Sequence, residues 1–168
     1  MRRGPALLAL VALALPLSGL GGCGFTPLYA QPGVAGGLTH IDVEAPRGRV
    51  GYLLRENLDD DFGHAKGAAP VYRLQLSMNT VRQSHGLTAN DVAQRYQLNL
   101  HVTYNLIEVA SGKVAHSGAV ISDISYDSTD QPYAGIAARQ DVQNRLAEDV
   151  AQKIEIQIAA WLASQPAG

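Results

Sequence analysis

Tyr96-Gln97-Leu98-Asn99-Leu100-His101-Val102-Thr103-Tyr104-Asn105-Leu106 is the stretch that decides the fold. Its even positions are apolar or aromatic, and its odd positions carry amides, a histidine and a threonine. Only an extended chain sorts such residues onto two faces, because successive strand side chains point to opposite sides. A long strand is expected here, with one face in a core and the other in water. The same period runs upstream, where Tyr72, Leu74, Leu76 and Met78 alternate with Arg73, Gln75, Ser77 and Asn79. Between the two, Gln83 to Asp91 carries His85, Gly86 and Asn90 and reads as a hairpin loop. Downstream, Ser111-Gly112 turns the chain again, and Val114 to Tyr126 supplies the third strand of a meander. The alternation slips by one at Ile107 to Val109, which predicts a bulge or a strand leaving the sheet.

On either side of this meander the period changes. Val50, Leu53, Leu54 and Leu58 recur at spacings of three and four, the signature of an amphipathic helix, which should stop near Gly63. Before it, Leu38 to Ala45 alternates and predicts a first strand, ended by Pro46 and Gly48. After a polar stretch from Ser125 to Gln131, Pro132 can open a long helix. Its seam is Val142, Leu146, Val150, Ile154, Ile158 and Leu162, flanked by Ile136, Ala147, Ala151 and Trp161. The element order β-α-β-β-β-α predicts an α+β fold in which two helices pack on one face of a mainly antiparallel four-stranded sheet. The opposite face is rich in amides and hydroxyls: Gln75, Ser77, Asn79, Gln97, Asn99, His101, Thr103 and Asn105. Such a face suits a wet, hydrogen-bonded surface or contact with another protein.

The N-terminus is of another kind. Arg2 and Arg3 precede an apolar run from Ala6 to Leu17, broken only by Pro16. That is the layout of a signal peptide. The run falls well short of the ~20 residues that a membrane-crossing helix requires. It ends in Leu20-Gly21-Gly22-Cys23, the form of a bacterial lipobox, in which small residues expose the backbone before a thiol that carries lipid. Residues 1–22 are expected to be a lipoprotein signal peptide and Cys23 the lipidated first mature residue. Cys23 is the one cysteine of the sequence, so a disulfide within the chain or a cysteine-based metal site is excluded. Gly24 stands where aspartate would mark retention in the inner membrane, which favours a periplasm-facing protein held at the outer membrane. Residues 23–37, rich in Gly and Pro, read as a linker, and 38–165 as one domain.

Composition excludes several function classes. The formal net charge is −2, and removal of Arg2 and Arg3 makes it more negative. Nucleic-acid binding needs clustered Lys and Arg to displace counterions, and that is missing. The five histidines show no metal-binding spacing, although His101 and His116 are candidate neighbours across the sheet. Asp59-Asp60-Asp61 points three carboxylates in different directions and reads as a solvated turn. No Gly-x-Ser-x-Gly elbow and no phosphate-cradling glycine loop follows a strand. Neither an enzyme nor a cofactor is expected.

The mature opening Cys23-Gly24-Phe25-Thr26-Pro27-Leu28-Tyr29 resembles that of the LPS-assembly lipoprotein LptE family, especially its alphaproteobacterial branch. The run Ala137-Ala138-Arg139-Gln140-Asp141-Val142-Gln143-Asn144-Arg145, continuing through Leu146, Ala147 and Ile154, is similar to the same family's final helix. The resemblance implies a non-catalytic protein that plugs the LptD β-barrel in the outer membrane, helps it assemble and takes part in lipopolysaccharide transport. If lipopolysaccharide is touched directly, Arg82, Arg95 and Lys113, near strand ends and loops, are the candidates. A reading from another class is an auxiliary or regulatory lipoprotein, either a cell-wall synthase activator or an accessory subunit of a lipid ABC transporter. Fold alone does not separate the two.

Overall fold

The computed structural model of the protein describes residues 28, 33–63, 69–87, 93–127 and 132–165. Among these residues, three helices and four strands follow in the order α1 (Val34–Leu38), β1 (Ile41–Glu44), α2 (Arg49–Asp61), β2 (Tyr72–Leu87), β3 (Ala93–Glu108), β4 (Val114–Asp127) and α3 (Pro132–Ser164). The sheet order is β1-β2-β3-β4. β2, β3 and β4 form the expected antiparallel meander, while β1 lies parallel to β2, from Ile41 opposite Tyr72 to Glu44 opposite Gln75. The sheet is therefore mixed. The reason is the crossover: parallel neighbours cannot be joined by a tight turn, and α2 provides the return path.

The alternation of β3 does what its pattern predicts. Leu98, Leu100, Val102, Tyr104 and Leu106 are buried on one side. Leu74 and Leu76 of β2 and Val120 of β4 join them. Over this face lie α2, through Val50, Leu54 and Leu58, and α3, through Val142, Leu146, Val150, Ile154 and Ile158. Ala147, Ala151 and Ala159 are also buried, and their small side chains allow close approach. Ile136 departs from the expected seam and is exposed, because α3 begins beyond the part of the sheet it covers.

Three boundaries differ from the sequence reading. First, Val34–Leu38 is a short helix with Val34 and Leu38 buried, inside a stretch read as linker up to Gly37 and as strand from Leu38. Gly37 faces Leu162 of α3 so closely that an added Cβ would sit 3.0 Å from its methyls. Second, the hairpin loop expected over Gln83 to Asp91 is much shorter. β2 runs on to Leu87 and β3 begins at Ala93, so Gln83 to Gly86 are strand residues, with Gln83, Ser84 and His85 paired to β3. Third, β1 is shorter than Leu38 to Ala45. The slip near Ile107 is a bulge: Leu106 faces His116 but Ile107 faces Val114, which leaves Ala115 as the extra residue.

Two glycines mark close approaches. A Cβ on Gly51 of α2 would lie 1.9 Å from the carbonyl oxygen of Pro46, and one on Gly118 of β4 would lie 2.5 Å from the Tyr104 hydroxyl. Gly118 stands directly opposite Tyr104 in the β3–β4 register, so the phenol ring lies across the bare glycine.

Candidate interaction surface

α3 runs antiparallel to β4, and a polar ladder follows the contact. The Ser122 hydroxyl donates to Asp149, Lys153 Nζ donates to Asp149 at 2.6 Å and to the Ile121 carbonyl at 3.3 Å, and Gln157 Nε2 donates to the Ala119 carbonyl at 3.5 Å. His116 ends the ladder, stacked on Trp161 at 5.5 Å between ring centres, and Tyr72 meets the same indole edge-on. Residues 149, 153, 157 and 161 recur every four positions, so one helix face meets successive residues of the strand. Burial raises Asp149, but hydrogen bonds from Lys153 and Ser122 and the Lys153 charge outweigh it and hold the carboxyl below its ordinary range. The Tyr104 hydroxyl donates to Gln157 Oε1 at 2.8 Å, and burial pushes this phenol up. These groups are occupied with one another, and the ladder is structural.

At the end of α2, Asp60 and Asp61 line a cleft of about 280 Å³ with Glu148, Gln152 and Glu155 of α3. Partial burial, then the charges on Asp60 and Glu148, raise the Asp61 carboxyl. The triplet Asp59-Asp60-Asp61 thus belongs to the helix end rather than to a freely solvated turn. Among the described residues, no group of three or more His, Cys, Asp and Glu is placed to hold a metal ion. His101 and His116 are not neighbours. His101 faces Ile121 on the polar side, while His116, five positions away in the same unbroken register, stands opposite Leu106 on the helix side.

The surface left for a partner is the far side of the sheet and the hairpin end. On the far side Gln75, Ser77, Asn79, His101, Thr103 and Asn105 are exposed, Gln97 and Asn99 are half-buried, and no described element lies over them. Gln97 bridges the strands: its Oε1 accepts from His85 Nε2 at 3.1 Å and its Nε2 donates to Asp123 at 2.8 Å. Val81 and Ile121 add two exposed apolar side chains to the same face.

Toward the hairpin end the helix layer stops short of β2. Thr80, Arg82 and Ser84 continue the inward-facing series Tyr72, Leu74, Leu76, Met78, yet all three are exposed. Arg82 lies opposite Leu98, and its guanidinium sits 4.7 Å above the Tyr96 ring. Tyr96 in turn faces Tyr126 at 5.6 Å, so a cation and two phenol rings form a row across three strands. The first turns of α3 add Tyr133, 88% exposed, and Ile136. The sequence reading missed this row. The signal was the parity of Tyr72 carried ten positions on to Arg82.

The expected contact residues separate. Arg82 and Arg95 lie at the hairpin end, where Arg95 pairs with Asp127 at 2.8 Å. Lys113 lies in the β3–β4 turn, where its carbonyl accepts from the Glu108 amide at 2.9 Å. Leu98, opposite Arg82, is ten residues from Glu108, so about 30 Å of strand lies between the two groups and they cannot act as one site. Cys23 lies outside the described residues.

Comparison with known proteins gives this geometry a family. A search of curated proteins returned no significant match. Among solved structures, a protein from Caulobacter crescentus CB15 described as a lipoprotein is 40% identical, with a TM-score of 0.68, and the match covers 79% of this chain and 98% of that one. The rare lipoprotein B of Shewanella oneidensis (16% identity, TM-score 0.55, 72% of this chain and 92% of that one) shares the fold. So does a minor lipoprotein of Acinetobacter baumannii (19% identity, TM-score 0.53, 71% and 88%). The family model described as LptE, lipopolysaccharide-assembly, matches residues 38–158. Spanning the whole sheet, α2 and most of α3, that match establishes that the chain belongs to the LptE lipopolysaccharide-assembly family.

Proposed function

We propose that the protein is a periplasm-facing lipoprotein, held at the outer membrane by lipid on Cys23, that seats within the LptD β-barrel. There it supports barrel assembly and takes part in delivering lipopolysaccharide to the cell surface. Family membership supports the role in lipopolysaccharide assembly. The observation that carries the plug reading is the uncovered polar sheet face, since amides and hydroxyls there can exchange hydrogen bonds with a hydrated barrel wall. A core packed on one side only leaves that face free without loss of stability. Lipopolysaccharide contact is assigned to the hairpin end, to Arg82 above the Tyr96 ring in a row with Tyr126, and to Arg95, which pairs with Asp127 on the other face of the sheet. Lys113, at the opposite end, would meet a different part of the same assembly. No step of covalent chemistry is required.

Depletion of the protein tests this directly. Misassembled LptD and reduced surface lipopolysaccharide are expected, and LptD should co-purify with the protein from outer membranes. Normal barrel assembly and normal surface lipopolysaccharide after full depletion would overturn the reading and put the auxiliary-lipoprotein alternative first.

A further inference from the structure

The outer edge of β2 is paired for only part of its length. β1 meets it from Tyr72 to Gln75 and then ends at Glu44, where Ala45 and Pro46 turn away. A notch of about 300 Å³ between Glu44, Pro46, Gln75 and Ser77 marks that point. The loop and α2 stay close as far as Met78, whose methyl lies near Gly51. From Asn79 to Leu87, roughly 25 Å of strand, β2 is bonded to β3 on one side. On the other side no described residue donates to it or accepts from it.

The register says which groups are free. At the start of the strand both the Val71 and the Tyr72 amides donate to the His40 carbonyl. The Val71 carbonyl accepts from Val109, its opposite just past the end of β3, and hydrogen-bonded pairs of an antiparallel ladder alternate from there. Odd residues of β2 therefore bond to β3 and even residues turn their amides and carbonyls outward. The pairing continues without a slip from Tyr72 opposite Glu108 to His85 opposite Arg95, so Thr80, Arg82 and Ser84 present outward backbone groups. Long edges of this kind are usually shortened or covered, because they accept any compatible strand.

We infer that the β2 edge from Asn79 to Leu87 takes an extended segment of a partner protein as an added strand, and that this segment carries carboxylates. Charge selects that occupant. β2 contains Arg73, Arg82 and His85 and no Asp or Glu, in a chain whose formal net charge is −2. An acidic strand would place carboxylates across from Arg82, and opposite charges on adjacent strands attract. Self-pairing centred on Arg82 would set two guanidinium groups against each other and is disfavoured for the same reason. Both side-chain faces of Thr80 to Ser84 are exposed, so an added strand meets no obstruction among the described residues. Among the described residues the edge is free whichever machinery the protein serves, and its occupancy is read with no barrel or lipopolysaccharide present.

The probe is a disulfide-cyclised hairpin peptide whose outer strand alternates Thr or Val with Glu; cyclisation lowers the ordering cost of binding. Amide hydrogen exchange of the full chain should slow at Thr80, Arg82 and Ser84 at least tenfold at saturating peptide. A Lys-for-Glu version of the peptide should bind at least tenfold more weakly. N-methylating the peptide's outer strand at alternate residues should abolish the protection with the protein unaltered. Thr80→Pro with Ser84→Pro should do the same, since both positions lack a ladder bond to β3. Equal binding of the Glu and Lys peptides, protection elsewhere, or no protection at millimolar peptide would overturn the proposal. So would protection of these three amides in the free chain, either by self-association or by its own segments.

Discussion

The two halves of β2 share one partner strand and differ in everything else. From Tyr72 to Met78 the helix-side positions are apolar, and Leu74 and Leu76 are buried beneath the helix layer. From Thr80 to Ser84 the same parity carries a hydroxyl, a guanidinium and a hydroxyl, all exposed, while the facing β3 residues Leu98 and Leu100 remain buried under α3. The sheet thus extends past the helices on one side and not on the other. The covered half holds the fold together. The overhanging half has its backbone bonds to β3 and little else, which frees its side chains and its outer edge for a partner.

The largest effect should come from the covered half. Leu74→Ala removes a fully buried side chain and should cost roughly 2–5 kcal/mol in denaturant melts. Thr80→Ala, on the same face six residues on, should stay within about 0.5 kcal/mol. Comparable losses at the two sites would erase the distinction between the halves.

Next in size is the glycine under Tyr104. Gly118→Ala drives a methyl into the phenol ring and should cost about 1–3 kcal/mol, an overpacking penalty. Tyr104→Leu in the same chain should recover part of that loss, because contacting residues are coupled. Strict additivity of the two changes would show that the ring does not lie over the glycine in solution.

A smaller effect concerns pH, and two carboxylates oppose each other. Asp149 is held below its ordinary range, so its contribution is present above the unfolded-state pKa and lost as pH falls through the folded-state value. Asp61 is raised, so its fold is favoured at low pH and penalised as pH rises past the unfolded-state value toward the folded one. Asp61→Asn should therefore raise the melting temperature slightly at pH 7 and not at pH 3. Asp149→Asn should lower it at pH 7, with the gap closing in acid. Reversed signs would mean that the cleft and the ladder have exchanged characters.

The smallest effect on stability, yet the largest on contact, belongs to the overhang. Arg82→Gln should leave the melt unchanged within about 0.5 kcal/mol, since the guanidinium is exposed. Its lipopolysaccharide binding should fall and lose salt sensitivity, because exposed charges are screened over ~8 Å at physiological ionic strength. Lys113→Gln, at the other end of the sheet, should not reproduce that loss at the hairpin site.

Much of the core was legible because burial leaves a periodic record in side chains. The alternation of Tyr96 to Leu106 identified its inward face, and the fourfold recurrence from Val142 to Ile158 identified the covering stripe of α3. The candidate surface was legible only in part. Arg82 read as a cation near a strand end because apolar alternation ends at Met78, although the backbone continues as strand to Leu87. His116 read as a neighbour of His101 because both lie on paired strands, but pairing register, which no side chain announces, sets His101 opposite Ile121 and His116 opposite Leu106 on the other face.

What the sequence by itself determined was therefore the element order, the faces of the central strands and the helix that covers them, since water sorts side chains by polarity wherever one face is buried. Family resemblance in the opening motif and last helix pointed to the same family that the matched region establishes. The tertiary structure alone decided the parallel seat of β1, the full length of β2 and the row of Arg82, Tyr96 and Tyr126. Backbone hydrogen bonds make these arrangements, and every residue but proline carries the same donor and acceptor. A strand paired on one side and wet on both faces satisfies half its backbone and buries no side chain, so its sequence holds no periodic trace of where it ends.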